Sequence, residues 1–272
     1  MKLVLGTVQF GLSYGIAHDG STLGDSALSA LLTQAYEAGI DTLDTAALYG
    51  NAQARLGQLM RHPFDIVTKL GEWQPGQARM QLEQCLSALG RNQVKAVLAH
   101  RAHSLLAPQR LGEFAALKTE GLCQQLGVSV YSPEELKQVL DSADIDAVQL
   151  PANPLDQRFF AMLPELKARG ITVHARSLFL QGLLLMPQAQ RPHWTANAQA
   201  LERWDRLPGE PLQRALDFAS AQTQVDGWVV GVQNPEQLTA LIAAKAKAKP
   251  DSMKALACSD VQLINPSLWP TS

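Results

Sequence analysis

The chain has 272 residues, of which 46% are hydrophobic and 18% charged, with a formal net charge of −2. That balance suits a globular protein with a large core and argues against a disordered or fibrous one. The near-neutral charge excludes the broad basic field that nucleic-acid phosphates or an anionic membrane surface would need, so small-molecule chemistry is expected.

The N-terminus, MKLVLGTVQF, has one lysine and a short apolar run broken by Gly6, and it reads as a strand rather than a signal peptide. From there, short β-branched or apolar runs alternate with longer amphipathic segments to the end of the chain, the pattern of βα units around a parallel sheet. The expected strands are Leu3–Thr7, Ile40–Asp44, Asp65–Lys69, Val94–His100, Gln125–Ser129, Ala147–Leu150, Ile171–Ala175 and Trp228–Gly231. Eight βα units over this length predict a single (β/α)8 TIM barrel spanning residues 1–272.

Between the first two strands, Leu28, Leu31, Leu32, Ala35 and Tyr36 fall on one side of a predicted helix over Asp25–Ala38. Ser132 followed by Pro133, Glu134 and Glu135 marks another helix start, with the serine as N-cap and the proline in the first turn. Gly39, Gly121 and Gly170 each follow a helical pattern and are expected to turn the chain back into a strand. Roughly from Gln181 to Gly209 the rhythm breaks, with three prolines and two tryptophans. We read it as an insertion after the seventh strand, either covering the substrate pocket or packed on the surface. The AAKAKAKP tract at 243–250 reads as a solvated helix end. Cys85, Cys123 and Cys258 are odd in number and far apart, which fits a reducing, cytoplasmic setting, and no run approaches the ~20 apolar residues of a membrane span.

A parallel barrel gathers chemistry at the C-terminal ends of its strands. Asp44 closes the second expected strand, Tyr49 follows in the next loop, Lys69 closes the third and His100 the fourth. A strand-end lysine would be desolvated, and Asp44 is its natural carboxylate partner. A phenol titrates near 10 when unperturbed, so a cation such as Lys69 would help Tyr49 to act as a proton donor. His100 would either hydrogen-bond a substrate carbonyl oxygen or relay a proton to Tyr49. Singly, each of these residues is more often structural; the ordered set is a carbonyl-reduction site.

D-T-A-x-x-Y-G followed by a strand-end lysine and a strand-end histidine resembles the aldo-keto reductase family, whose catalytic Asp, Tyr, Lys and His occur in this order. The resemblance runs through most of the chain. It implies Tyr49 as acid, Lys69 and Asp44 as tuners and His100 as substrate orienter. LGTVQFG resembles the family's first strand, which brings in Gly6 and Thr7. LGVS brings in Ser129 and VQLPANPLD brings in Gln149, both as contacts to the nicotinamide carboxamide. ARSLFLQGLL implies that Arg176 and Ser177 hold the nicotinamide and pyrophosphate, and VVGVQNPEQL implies that Gly231, Val232, Gln233 and Gln237 grip the adenosine end, where a helix N-terminus favours phosphate. ARSLFLQGLLLM is also similar to a branch associated with bacterial polysaccharide loci, which would suit a sugar-derived carbonyl.

Four departures from the family pattern matter. Val130 stands where an asparagine usually follows the fifth-strand serine, and Arg176 stands where an aromatic residue commonly stacks on the nicotinamide. A guanidinium there should favour the reduced cofactor electrostatically, if it faces the ring. Gly231 and Gln237 align with lysine and arginine that often neutralise the 2′-phosphate, so selectivity for NADPH over NADH should be weak or reversed and either nucleotide is expected. The sequence opens directly on the first strand, as in a short bacterial branch without the N-terminal hairpin.

Two rival readings remain. His100, His103 and His174 near strand ends prompt a metal-dependent hydrolase, but the first strand offers no histidine pair, and no metal is expected. Alternatively the barrel binds nicotinamide nucleotide and reports redox state to a partner without significant turnover. Glu72, Trp73, His103 and Arg158 follow strand ends and either rim the mouth, which would suit a hydroxylated aldehyde or a sugar-derived carbonyl, or lie on the surface away from it.

Overall fold

In a computed structural model, which describes residues 1–16, 20 and 22–270, eight parallel strands close into a barrel in sequence order. They are β1 (Leu3–Gly6), β2 (Thr42–Asp44), β3 (Asp65–Leu70), β4 (Val94–Ala99), β5 (Cys123–Ser129), β6 (Ala147–Pro151), β7 (Thr172–Arg176) and β8 (Gly227–Gly231). The ring is shut by β1 against β8, with Leu3 opposite Trp228 and Gly6 opposite Gly231. The (β/α)8 fold expected from the alternation is therefore the fold observed.

The strand limits differ from the sequence reading by a few residues: β1, β2 and β4 are shorter, so that Thr7 and His100 lie just past their strands, while β5 and β7 are longer. The longer ones arise because apolar residues mark where a strand is buried, whereas ladder pairing can carry on into polar residues. Thus β7 continues to Arg176, which pairs with Pro151 on β6, and β5 starts at Cys123 opposite Val94.

The helices on the outside are α1 (Asp25–Glu37), α2 (Ala52–Leu59), α3 (Ala78–Leu89), α4 (Pro108–Thr119), α5 (Pro133–Ser142), α6 (Leu163–Ala168), α7 (Gln199–Asp205), α8 (Pro211–Ala221) and α9 (Pro235–Ala246). α1 buries Leu28, Leu31, Leu32 and Ala35 at the spacing of one helical face, and Tyr36 packs beside them on His62 and Phe64. The Ser132 hydroxyl caps α5 by accepting from the Glu135 N–H at 3.2 Å. Gly39, Gly121 and Gly170 all have φ above +70°, as the turn from helix into strand requires.

Successive strand residues face opposite sides of a sheet, and this period of two positions the site. Val67, Ala96, Leu98 and Ala147 form a small apolar cluster inside the barrel, apart from the larger core between strands and helices. Two residues further along the same faces come Lys69 after Val67, His100 after Leu98 and Gln149 after Ala147. Ser129 follows Gly127 and Arg176 follows His174 by the same step. The apolar plug fills the lower barrel, and the polar layer above it is forced to the C-terminal mouth.

After β7 the chain takes three 3-10 turns before α7, so the 181–209 region is irregular with one short helix. Its second half is tied down: the Trp204 indole N–H donates to Leu184 O at 2.9 Å, and Arg191 makes a bidentate pair with Asp205. Among the described residues no helix is long and apolar enough to cross a membrane.

Candidate active site

The barrel mouth opens into a cavity of about 620 Å³, within the roughly 300–1,000 Å³ of small-molecule sites. Asp44, Tyr49 and His100 line it, as do Gly6, Thr7, Ser129, Gln149, Arg176, Ser177, Gly231, Val232, Gln233 and Gln237. Lys69 lies directly behind the wall, 1% exposed, with its ammonium on Asp44. The residues singled out from eight separate stretches of sequence thus come together around one space.

Asp44 is the hub. Lys69 Nζ donates to its Oδ1 at 2.5 Å and to Thr45 O at 3.1 Å, while Gln149 Nε2 donates to its Oδ2 at 2.7 Å from across the barrel. Burial pulls the Lys69 pKa below its ordinary value, and the Asp44 charge opposes that shift. The ammonium sits 5.2 Å from the centroid of the Tyr49 ring, over its face. Among the described residues no hydrogen bond engages the Tyr49 hydroxyl, which is left to the cavity. Burial, reinforced by the Asp44 charge, raises its pKa, and the Arg176 guanidinium acts in the opposite direction.

The tyrosine is held in place by backbone packing. Gly11 and Gly50 meet edge to edge: a Cβ on Gly11 would fall 2.1 Å from Tyr49 O, and one on Gly50, where φ is +56°, would fall 2.5 Å from Gly11 O. Only glycine at both positions lets the β1 loop close on the Tyr49 loop.

The His100 ring lies edge-on to Tyr49, centroids 6.0 Å apart, and its Nδ1 is buried without a hydrogen-bond partner among the described residues. Burial, followed by the Lys69 and Arg101 charges, pushes its pKa down to about 4. The ring is therefore neutral at neutral pH. The unfolded chain binds this proton near pH 6.5 and the native state only near 4, so the native state loses stability as pH falls between those values, by at most about 1.4 kcal/mol per pH unit. Urea unfolding of the wild type and His100→Gln at pH 7 and pH 5 is expected to show a smaller acid loss in the variant. Equal losses would mean that His100 is not the group responsible.

Three other histidine and acid placements matter. Among the described residues no three His, Cys, Asp or Glu side chains form a group that could hold a metal ion. His103 instead pairs with Glu72 on the exposed surface, and His174 lies within β7 opposite Gly227 of β8. Of the two placements open to Glu72, Trp73, His103 and Arg158, the one at the mouth is not found: none of the four lines the cavity. Trp73 is 1% exposed and stacked on Phe114, Glu72 and His103 satisfy each other, and Arg158 is forked onto the buried Asp156 carboxylate at 2.8 Å per arm. A position just after a strand does not decide whether a side chain leans into the barrel or out over the helices.

The sequence reading missed several wall residues. Leu12, Tyr14, Leu48 and Tyr131 give one side an aromatic and apolar lining, and Gln9 lies against Gly231 with a buried Oε1 that has no partner among the described residues. Of these, only Gln9 and Tyr131, each two residues beyond an expected strand end, had a positional signal. Gln181, Gly182, Leu185, Met186, Pro187 and Gln190 also line the cavity, so the first part of the post-β7 segment forms wall while the remainder packs away from it. Gln181 Nε2 reaches Tyr14 Oη at 3.2 Å, bridging the loops after β7 and β1.

Compared with known proteins, residues 2–258 match the sequence profile of the Aldo/keto reductase family. The chain belongs to that family. A Bacillus subtilis (strain 168) protein described as uncharacterized oxidoreductase YqkF is 29% identical over 248 residues, covering 79% of this chain and 81% of the relative. An aldo-keto reductase of Mycobacterium sp. (strain KMS) is 33% identical over 187 residues, 62% of this chain and 67% of that one. The structure of aldo-keto reductase AKR11C1 from Bacillus halodurans superposes with a TM-score of 0.79 at 20% identity, over 98% of this chain and 95% of that one. Membership makes the chain an oxidoreductase of a family that uses nicotinamide cofactors.

The cavity suits such a group. Asp44 is the sole carboxylate on the described wall, and it is already matched by Lys69, so a nucleotide's phosphates meet no unpaired negative charge. Gln9 Oε1 supplies a buried acceptor with no partner among the described residues.

Proposed function

We propose that this aldo-keto reductase reduces an aldehyde or ketone to the alcohol, with Tyr49 as the proton donor. The observation that carries the reading is the unengaged Tyr49 hydroxyl on the cavity wall, beside a neutral His100 and backed by the buried Asp44–Lys69 pair. When bound, the reduced nicotinamide supplies a hydride, that is, two electrons and one proton, to the carbonyl carbon.

The chain's own residues handle the oxygen. His100, neutral at working pH, offers its Nε2–H to hold the carbonyl oxygen, with Nδ1 the buried nitrogen that has no partner among the described residues. As electron density moves onto that oxygen, the Tyr49 O–H bond breaks and the new alcohol O–H bond forms, which leaves a phenolate on Tyr49. Asp44 holds Lys69 against the ring face, where the cation steadies that phenolate. Gln149, by fixing the second Asp44 oxygen, keeps the first on Lys69. The aromatic and apolar wall suits the C–H face of a sugar-derived carbonyl.

NADH is expected to bind at least as well as NADPH. No lysine or arginine lines the stretch from Gly231 to Leu241, and the Gln237 carboxamide is turned back onto the Gln233 N–H at 2.8 Å. A 2′-phosphate would find no charge-assisted partner there. Gln237→Arg should shift the ratio of dissociation constants toward NADPH by roughly tenfold, about 1.4 kcal/mol. Fluorescence titration with both nucleotides checks this, and tenfold tighter NADPH binding by the wild type would overturn it.

A further inference from the structure

Arg176 is the one arginine or lysine among the described wall residues, and its position is built rather than incidental. It ends β7 in register with Pro151 of β6, and its guanidinium lies 4.3 Å from the centroid of the Tyr131 ring. One arm donates to Val130 O at 3.1 Å and the other reaches Ser177 Oγ at 3.3 Å. Arg101 lies over the same ring at 4.5 Å, which adds a second positive charge on Tyr131. Arg176 makes no ion pair with any described carboxylate, and the nearest in the cavity, Asp44, is already bound to Lys69 and Gln149. The catalytic end of the cavity therefore carries a fixed, uncompensated positive charge.

The two forms of a nicotinamide nucleotide share their phosphates and differ by one charge on the ring: the oxidised ring is cationic and the reduced ring neutral. Any ring that delivers hydride to a carbonyl held by Tyr49 must sit in this part of the cavity. We infer that Arg176 is a selectivity residue for cofactor redox state, holding the reduced nucleotide and rejecting the oxidised one by charge. The inference rests on the proposed carbonyl-reductase function and adds a direction to it: the spent cofactor is destabilised in place, which favours its release after reduction. The Tyr131 ring and the Val130 carbonyl hold the guanidinium in place without a carboxylate that would cancel it.

The test is binding alone, without turnover. Dissociation constants for NADH and NAD⁺ are measured by fluorescence and calorimetry on the wild type, Arg176→Gln, Arg176→Met and Arg176→Lys. At an effective dielectric constant of about 20, a unit charge roughly 8–12 Å away changes a binding ratio by about ten- to thirtyfold. Arg176→Gln is expected to lower the ratio of the NAD⁺ constant to the NADH constant by that factor, chiefly by tightening NAD⁺, while Arg176→Lys keeps it near the wild-type value. Arg176→Met, which keeps the stem and loses the charge, takes the place of the glutamine variant if that protein fails to fold.

A fall of less than about fivefold in the neutral variants overturns the inference while leaving the carbonyl-reductase reading intact. So would an unchanged ratio with a raised KM for glyoxylate relative to propanal, which would assign the guanidinium to an anionic substrate. If the wild type binds neither nucleotide, the functional reading falls first and the inference with it.

Discussion

Tyr49→Phe is expected to lower kcat for carbonyl reduction by about 10²- to 10⁴-fold, the usual scale for loss of a positioned proton donor. The change removes one oxygen and leaves the ring, which packs against His100 and beneath the Lys69 ammonium. NADH affinity should therefore stay within about twofold of wild type, since the hydroxyl makes no bond that shapes the cavity. The pH dependence follows from the direction of the Tyr49 shift. Burial and the Asp44 charge hold the phenol above its ordinary pKa, so it stays protonated through the neutral range. Reduction should be flat there and fall only in strong alkali, whereas alcohol oxidation, which needs the phenolate, should rise with pH. Steady-state rates over an aldehyde, ketone and sugar panel check both. A variant that reduces carbonyls as fast as the wild type would remove Tyr49 from the chemistry, and a wild type that binds NADH yet turns over nothing on the panel would favour the redox-reporting role.

The second large effect concerns stability. Asp44→Leu would strand the Lys69 ammonium, 1% exposed, inside the barrel and also deprive Gln149 of its acceptor. Breaking a buried pair by removing one partner costs about 3–5 kcal/mol, whereas replacing both partners with apolar groups of similar size is often close to neutral. Asp44→Leu is therefore expected to lose several kcal/mol in urea unfolding, and the double variant Asp44→Leu/Lys69→Met to recover most of it. A double variant no more stable than the single would contradict this account.

The pH trend gives a second check. Lys69 has a native pKa below its unfolded value, so between the two values the unfolded chain binds the extra proton and stability rises with pH. Without Asp44 to oppose the shift, alkaline pH should partly rescue the single variant. It should do little for the double one.

How much of this was legible beforehand depends on the kind of contact. Strand-end residues in a barrel are placed by a period of two, and that period can be read along a single chain: Val67 to Lys69, Leu98 to His100, Ala147 to Gln149. The α5 cap was legible for the same reason, because Ser132 and Glu135 interact over three residues. Loops just past the strands carry no such period. Trp73 followed Lys69 as closely as any mouth residue would, yet it turned outward onto Phe114; Tyr14, in an irregular loop, turned inward. Arg158 looked available until Asp156 was seen to hold it.

Sequence by itself therefore determined the barrel, its order of strands and the residues brought to its mouth, because apolar alternation and strand-end position are local properties set by burial on one face of a sheet. Tertiary structure decided who shares whose charge. Lys69 keeps its ammonium over the Tyr49 ring while bonded to Asp44, Gln149 reaches across the barrel to the same carboxylate, and Arg176 is left over the Tyr131 ring as the cavity cation with no carboxylate partner among the described residues. Those assignments depend on distances between residues up to 105 positions apart, and a Coulomb interaction is fixed by separation in space and by the loss of water around it, neither of which is written along the chain.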